Sequence, residues 1–247
     1  MDSLAIHRLM AWRRPGTVDN VNKSRENGVM SNAGKSGGGR KKNAGQSYHH
    51  GDLRRALLDA AMQLVTAQGV KGFTLREAAR EAGVSHNAPY RHFASRADIL
   101  VALAQEGQEK LLSKLEAAVA KGPGQRQRLE RLAIAYLEFA ATETPLFRVM
   151  FSADVNDAQT PDLVRAQANT LACFEREVRA GEESGLLREG QAHAFLLAGW
   201  SAMHGAATLL IDGVLGRTGG VPHRAPKKLA MDLMATLFEG MLRDPAK

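Results

Sequence analysis

Between Thr74 and Phe93 the chain reads TLREAAREAGVSHNAPYRHF, and few backbones accept that order of caps, small residues and glycine. Thr74 followed by Glu77 is a capping box: the hydroxyl can accept from an orphan amide, and the carboxylate can reach back to the cap. Leu75, Ala78, Ala79 and Ala82 fall at i, i+3, i+4 and i+7, with Arg76, Glu77, Arg80 and Glu81 off that stripe. Gly83 can take the positive φ that stops a helix. Val84 can plug the corner, and Ser85 is a ready cap for a second helix expected from about His86 to Phe93. Pro89 would then stand in the first turn of that helix, where proline does least damage. Two short helices joined by a glycine turn of this length meet at the steep angle of a helix-turn-helix.

A glycine corner alone would fit many helical proteins. What distinguishes this one is the side chains on its second helix: His86, Asn87, Tyr90, Arg91 and His92. Hydrogen-bond donors and cations at that density suit base edges and phosphates, and a corner buried in a core would not use them. Phe93 reads as core.

Charge is distributed accordingly. The chain has 247 residues and a net charge of +7. Residues 1–47 hold nine Lys/Arg against three Asp/Glu, a net +6; residues 48–98 hold seven against five, a net +2. Residues 99–247 hold seventeen against eighteen, a net −1, so the basic character sits in the tail and the helix-turn-helix segment. That asymmetry suits a DNA-reading end joined to a domain with a different task. Runs of alternating β-branched residues are missing, so an all-α chain is expected. No apolar run is expected to reach the ~18 to 20 residues that span a bilayer, and the N-terminus lacks the apolar region of a signal peptide. The single cysteine, Cys173, cannot form an internal disulfide and reads as a buried small hydrophobe, in keeping with a reducing cytoplasm.

Taken in order, residues 1–47 read as a flexible basic tail. Gly34-Lys35-Ser36 has the look of a phosphate loop's end, but Val29 stands where the upstream glycine is required. Arg40, Lys41 and Lys42 suit either an arm along phosphates or a solvated tail. Order is expected from Tyr48, with Leu53, Leu57, Ala60, Ala61, Leu64 and Val65 forming a helical stripe to about Gln68. Ser95 and Asp98 form a second capping pair, opening a long helix that ends at Lys121-Gly122-Pro123-Gly124. Arg126 to Ala141 reads as a helix, Leu146 to Phe151 as a short apolar turn, and Asp154 to Thr160 as a polar loop. Pro161 starts a helix to about Ala180; His193 to Val214 forms another, rich in small residues; Gly213 to Pro226 is a flexible connection; and the last helix carries Leu229, Leu233, Met234, Leu237, Phe238 and Met241.

HGDLRRALLDAA, FTLREAA and AGVSHNAPYRHFASRADIL together resemble the TetR (TetR/AcrR) family of one-component transcriptional regulators, over about Tyr48 to Leu100. The resemblance implies an N-terminal three-helix helix-turn-helix DNA-binding domain over residues 48–94. It also implies a helical-bundle ligand-binding and dimerisation domain over residues 95–247. In that family's pattern Tyr90 and His92 touch the phosphate backbone with help from Thr74 and Arg96. Arg76, His86, Asn87 and Arg91 face base edges or adjacent phosphates, with Ser85 and Ala88 in the same set. Pro89 replaces the commoner leucine and Ala88 is small, so the bases read are not fixed by the resemblance.

Beyond Leu100 the likeness is architectural, apart from Trp200, His204 and Gly205, which resemble the Trp–His–Gly pattern of one subgroup. His204 suits a ligand contact, a metal ligand or a hydrogen-bonded core or interface histidine. The last is favoured, because Trp200, Ser201, Ala207 and Thr208 occupy the i±3 and i±4 places where a second metal ligand would stand. Tyr136, Phe147, Phe151, Phe174, Trp200 and His204 are the candidate lining of a pocket for a small, largely apolar effector. The implied partners are a palindromic operator in double-stranded DNA, a second copy of the chain and that effector, with no metal, cofactor or membrane. No serine elbow, His-x-x-x-His pair, Cys/His metal spacing or dinucleotide loop supports an enzyme. The rival reading is a helical scaffold or small-molecule carrier that never reads DNA.

Overall fold

The computed structural model describes residues 50–158, 160–215 and 225–242. The basic tail at 1–47, Tyr48 and most of the expected connection before Pro226 lie outside the described residues. Among the described residues every regular element is helical.

Local sequence chemistry sets the first elements. Helix α1 (His50–Gln68) buries Leu57, Leu58, Ala61 and Val65, and it closes as the Gly69 amide bonds the Val65 carbonyl. Helix α2 (Leu75–Glu81) opens on the expected capping box. Thr74 Oγ1 accepts from the Glu77 amide at 3.3 Å, and Glu77 Oε2 accepts from the Thr74 amide at 2.8 Å. It ends on Gly83 at φ 69°, where Gly83 N bonds Arg80 O and Val84 N bonds Ala79 O. This paired closure satisfies two carbonyls that would otherwise be orphaned.

The expected second helix of the motif is not regular. Only a 3₁₀ turn, Pro89–Arg91, forms there. If Ser85 capped an α-helix, residue 89 would supply the first intrahelical N–H, and proline has none. The Ser85 carbonyl accepts instead from Ala88 N at 2.9 Å, while the His92 and Phe93 amides both reach Pro89 O. Ser85 thus contributes its carbonyl rather than a side-chain cap.

Helix α3 (Arg96–Val119) begins on the second capping box, Ser95 with Asp98. It is the spine against which α4 (Gln125–Thr142), α5 (Thr144–Met150), α6 (Ala153–Ala158) and α7 (Pro161–Glu183) pack. Gly107 lets α5 come close: a Cβ there would lie 2.6 Å from Met150 Sδ. Helices α8 (Ala192–Ile211) and α9 (Pro226–Leu242) pack on each other and on α4.

Three expectations change here. Pro145 does not merely end a helix but sits in the first turn of α5, so the apolar segment Leu146–Phe151 is largely helical. The stretch expected as a polar loop from Asp154 forms α6, because Val155 is fully buried and Asn156 N finds the Ser152 carbonyl. Finally, among the described residues one helix, α8 with its 20 residues, is long and apolar enough to cross a bilayer. Glycine, serine and histidine interrupt it without adding charge. Phe195, Leu196, Met203, Ala206 and Ala207 face the bundle, whereas Leu197 and Leu209 are exposed.

Candidate functional site

The corner built by Thr74 and Gly83 presents its polar side chains outward. Arg76, Ser85, His86, Asn87 and Arg91 are exposed, as is the Thr74 cap, and Ala88 is half-buried. Tyr90 is 52% exposed, so its ring lies outside the core. Beneath it, Phe93 and Pro89 are buried, and the Arg54 guanidinium carbon stands 5.5 Å from the Phe93 centroid. The short turn is therefore anchored from below while its donors remain free for a partner. That is the arrangement required for reading a groove.

Two residues of the expected set are turned differently. His92 is half-buried, and its Nε2 is buried with no hydrogen-bond partner among the described residues. Arg96, expected to help hold phosphate, donates instead to the Val70 carbonyl and to Asp154 Oδ1, each at 2.7 Å, and stands over the Phe73 ring at 5.8 Å. Its guanidinium ties the corner between α1 and α2 to α6. No sequence signal pairs Arg96 with Asp154, 58 positions away.

The six residues expected around an effector do converge, although α4, α5, α7 and α8 supply them from distant stretches of sequence. Tyr136 meets Phe147 edge-on at 5.7 Å and Phe174 at 6.1 Å. Phe147 contacts Phe151 at 4.8 Å, and the His204 ring lies 4.5 Å from Phe151 and stacks on Trp200 at 5.4 Å. One hydrogen bond pins the cluster, between Tyr136 Oη and His204 Nδ1 at 2.9 Å. Burial raises the tyrosine pKa and lowers that of His204, so both partners are held neutral. His204 is thus a hydrogen-bonded member of the cluster.

Beside this cluster lies a small apolar cavity of about 40 Å³. Tyr136, Phe174 and Trp200 line it, whereas Phe147, Phe151 and His204 stand behind the wall. The rest of the lining includes Leu129, Ala133, Val178, Phe195, Gly199 and Met234. Their spacing is that of ordinary bundle core, so nothing in the sequence separates cavity wall from filled interior. Cys173, on the same helix as Phe174, is buried, and that burial pushes its thiol pKa up.

Both parts match families of known proteins. Residues 57–103 match the family described as bacterial regulatory proteins, tetR family, and residues 129–237 match the tetracyclin repressor-like C-terminal domain. Together these cover more than half of the chain, in the expected order. The chain belongs to the TetR family. Among solved structures this TetR-family chain is similar to a protein of unknown function from Rhodococcus sp. RHA1. The two are 33% identical with a TM-score of 0.69, over 81% of this chain and all of that one. The fatty acid degradation regulator FadR from Bacillus halodurans shares the fold, with a TM-score of 0.60 at 16% identity over 76% and 98% of the chains. Among curated relatives, the transcriptional activator FasR of Mycolicibacterium smegmatis is 30% identical over 126 residues, 50% of this chain and 56% of that protein. The regulator BetI of Rhizobium meliloti is 30% identical over 134 residues, 54% and 64% respectively. The chain thus spans between about a quarter and two thirds of the length of the curated relatives it matches.

Proposed function

We propose that this TetR-family chain is a cytoplasmic, dimeric repressor that binds a palindromic operator and is released from it by a small, apolar effector. The observation carrying the DNA-reading half is the exposed set Arg76, His86, Asn87, Tyr90 and Arg91 on a helix-turn-helix whose apolar side is fully packed. Arg91 and Tyr90 are assigned to the phosphates and bases nearest the 3₁₀ turn, and His86 and Asn87 to base edges. His92 joins them once its ring turns outward.

The dimer is assigned to α8 and α9. Leu197 and Leu209 on α8 are 40% and 43% exposed, Met231 on α9 is exposed, and a Cβ on Gly205 would meet nothing within 4 Å. A large apolar face left open on one chain favours self-association. Two copies related by a two-fold axis would hold two reading turns about one DNA turn apart. Trp200, His204 and Gly205 are assigned to the Trp–His–Gly subgroup on that pattern. The cavity favours an uncharged effector, since no charged side chain lines it and the Tyr136–His204 pair is neutral.

Fluorescence anisotropy tests this on DNA from upstream of the chain's own gene and on scrambled DNA, across salt. Tight binding to one palindromic site, weakened by Arg91→Ala and Tyr90→Phe and falling steeply with salt, is the expected result. Absence of binding at every salt concentration, on this DNA and on a random-sequence selection library, overturns the reading. Direction of regulation is a separate point, since one relative is described as an activator. A reporter behind the bound site decides it, with expression rising on deletion of the regulator if it represses.

A further inference from the structure

Arg96 joins two parts of the molecule that the proposed function requires to communicate. Its fork reaches the Val70 carbonyl, at the corner that sets α2, and the Asp154 carboxylate on α6, each at 2.7 Å. The two charged side chains are only 26% and 28% exposed, which reduces screening. Asp154 lies three residues past Phe151, across the short link from α5 to α6. Phe151 packs at 4.5 Å on His204, and His204 in turn stacks on Trp200 and bonds Tyr136. Trp200 and Tyr136 are walls of the cavity. From the cavity to the helix-turn-helix corner, every step is a direct contact or a short stretch of chain.

We infer that the Arg96–Asp154 pair is the joint through which occupation of the cavity reaches the DNA-reading unit. The inference rests on the reading of that cavity as the effector site and assigns its output. Trp200 and Tyr136 wall a free volume of about 40 Å³, so an occupant larger than that volume pushes one of them outward. His204, stacked on Trp200 and edge-on to Phe151 at 4.5 Å, is close-packed between them and passes that displacement to α6 rather than absorbing it. A guanidinium is a rigid planar fork, so Arg96 cannot follow a displaced Asp154 and keep Val70 as well. Releasing Val70 frees the corner that fixes α2 and, through it, the 3₁₀ turn. The ion pair that links α1 to α3, Arg55 to Glu106, is a weaker carrier. Its arginine is 57% exposed and shared with Asp59, and Glu106 lies on α3, away from the aromatic cluster.

Gly199 supplies a test that needs no known effector. It lines the cavity, and a Cβ there would meet only Leu237 Cδ1, at 3.9 Å, so Gly199→Leu acts as a built-in occupant. Hydrogen exchange is followed on the full chain, free of DNA, for wild type, Gly199→Leu, Asp154→Asn and the double variant. The expected result is that Gly199→Leu speeds exchange between Phe73 and Phe93 by about fivefold or more in the wild-type background. In the Asp154→Asn background that segment already exchanges fast, and Gly199→Leu adds less than about twofold, the non-additivity of coupled sites. Arg96→Lys, which keeps the charge but not the fork, is expected to behave as Asp154→Asn does and serves if that variant does not fold. Equal acceleration in both backgrounds overturns the inference, as does acceleration confined to α7 and α8. Because exchange is read without DNA, failure here leaves the operator measurement untouched, and failure there leaves this one untouched.

Discussion

Replacing Tyr136 by phenylalanine removes one oxygen atom and tests the pin of the aromatic cluster. The hydroxyl bonds His204 Nδ1 at 2.9 Å, and the tyrosine is only 2% exposed, so water cannot take its place. Phenylalanine fills nearly the same space, and packing against Phe147 and Phe174 survives. What remains is a ring nitrogen facing hydrocarbon, an unmet polar group that costs about 1–3 kcal/mol. Some of this is offset because the hydroxyl itself no longer needs burying, which leaves a net loss of about 1–2 kcal/mol. For a folded unit of this size that lowers Tm by roughly 2–8 °C. Differential scanning calorimetry at pH 8 reads it directly.

The acid limb gives a second reading of the same pair. Burial lowers the His204 pKa below its ordinary 6.5, so the unfolded chain binds a proton at this site more readily than the folded one. The stability held by neutral His204 is complete above the unfolded pKa and is lost as pH falls through the folded one. Stability should therefore decline below about pH 6.5, and this part of the decline should vanish in His204→Leu. A Tyr136→Phe chain whose Tm matches wild type, or an acid limb indifferent to His204→Leu, refutes the hydrogen-bonded neutral pair.

The other predictions concern the reading corner and the open face. Gly83→Ala meets no atom within 4 Å but forces alanine to φ 69°, so its cost is conformational alone, about 1 kcal/mol by calorimetry. Gly72→Ala should cost more, because its Cβ would lie 2.5 Å from the Gln68 carbonyl oxygen and the backbone must move; equal losses would refute that distinction. Arg91→Ala should weaken operator binding and reduce the salt slope by about 1.8 for a dimer, one phosphate per copy; anisotropy at several salt concentrations would show an unchanged slope if Arg91 touches no phosphate. Leu197→Glu with Leu209→Glu should leave a folded monomer by sedimentation and reduce operator affinity, and a persistent dimer would place the interface elsewhere.

The corner itself was legible in the sequence because its determinants are local. Thr74 with Glu77, Ser95 with Asp98, and Gly83 each act within four residues, and each forms as its spacing requires. Pro89 breaks the expected second helix for an equally local reason: it removes the first N–H that a helix capped by Ser85 would use, and a 3₁₀ turn results. Side-chain type also picked out the aromatic and histidine positions that cluster, since such rings seek one another in an apolar interior.

Tertiary structure decided what spacing cannot carry. Leu129 or Met234 as cavity wall, as opposed to filled core, depends on where four helices fail to meet, and the heptad-like pattern is the same in both cases. Arg96 reads as one more cation beside a DNA-reading turn until the fold brings Asp154 and the Val70 carbonyl within 2.7 Å of it. The apolar length of α8 is already written in its composition, but which of its faces stays open depends on where the bundle covers it. The sequence by itself determined caps, turns, helical class and the basic reading end, all of them short-range properties of the backbone and its neighbours. Cavity, joint and open face are long-range properties, set by which helices pack together.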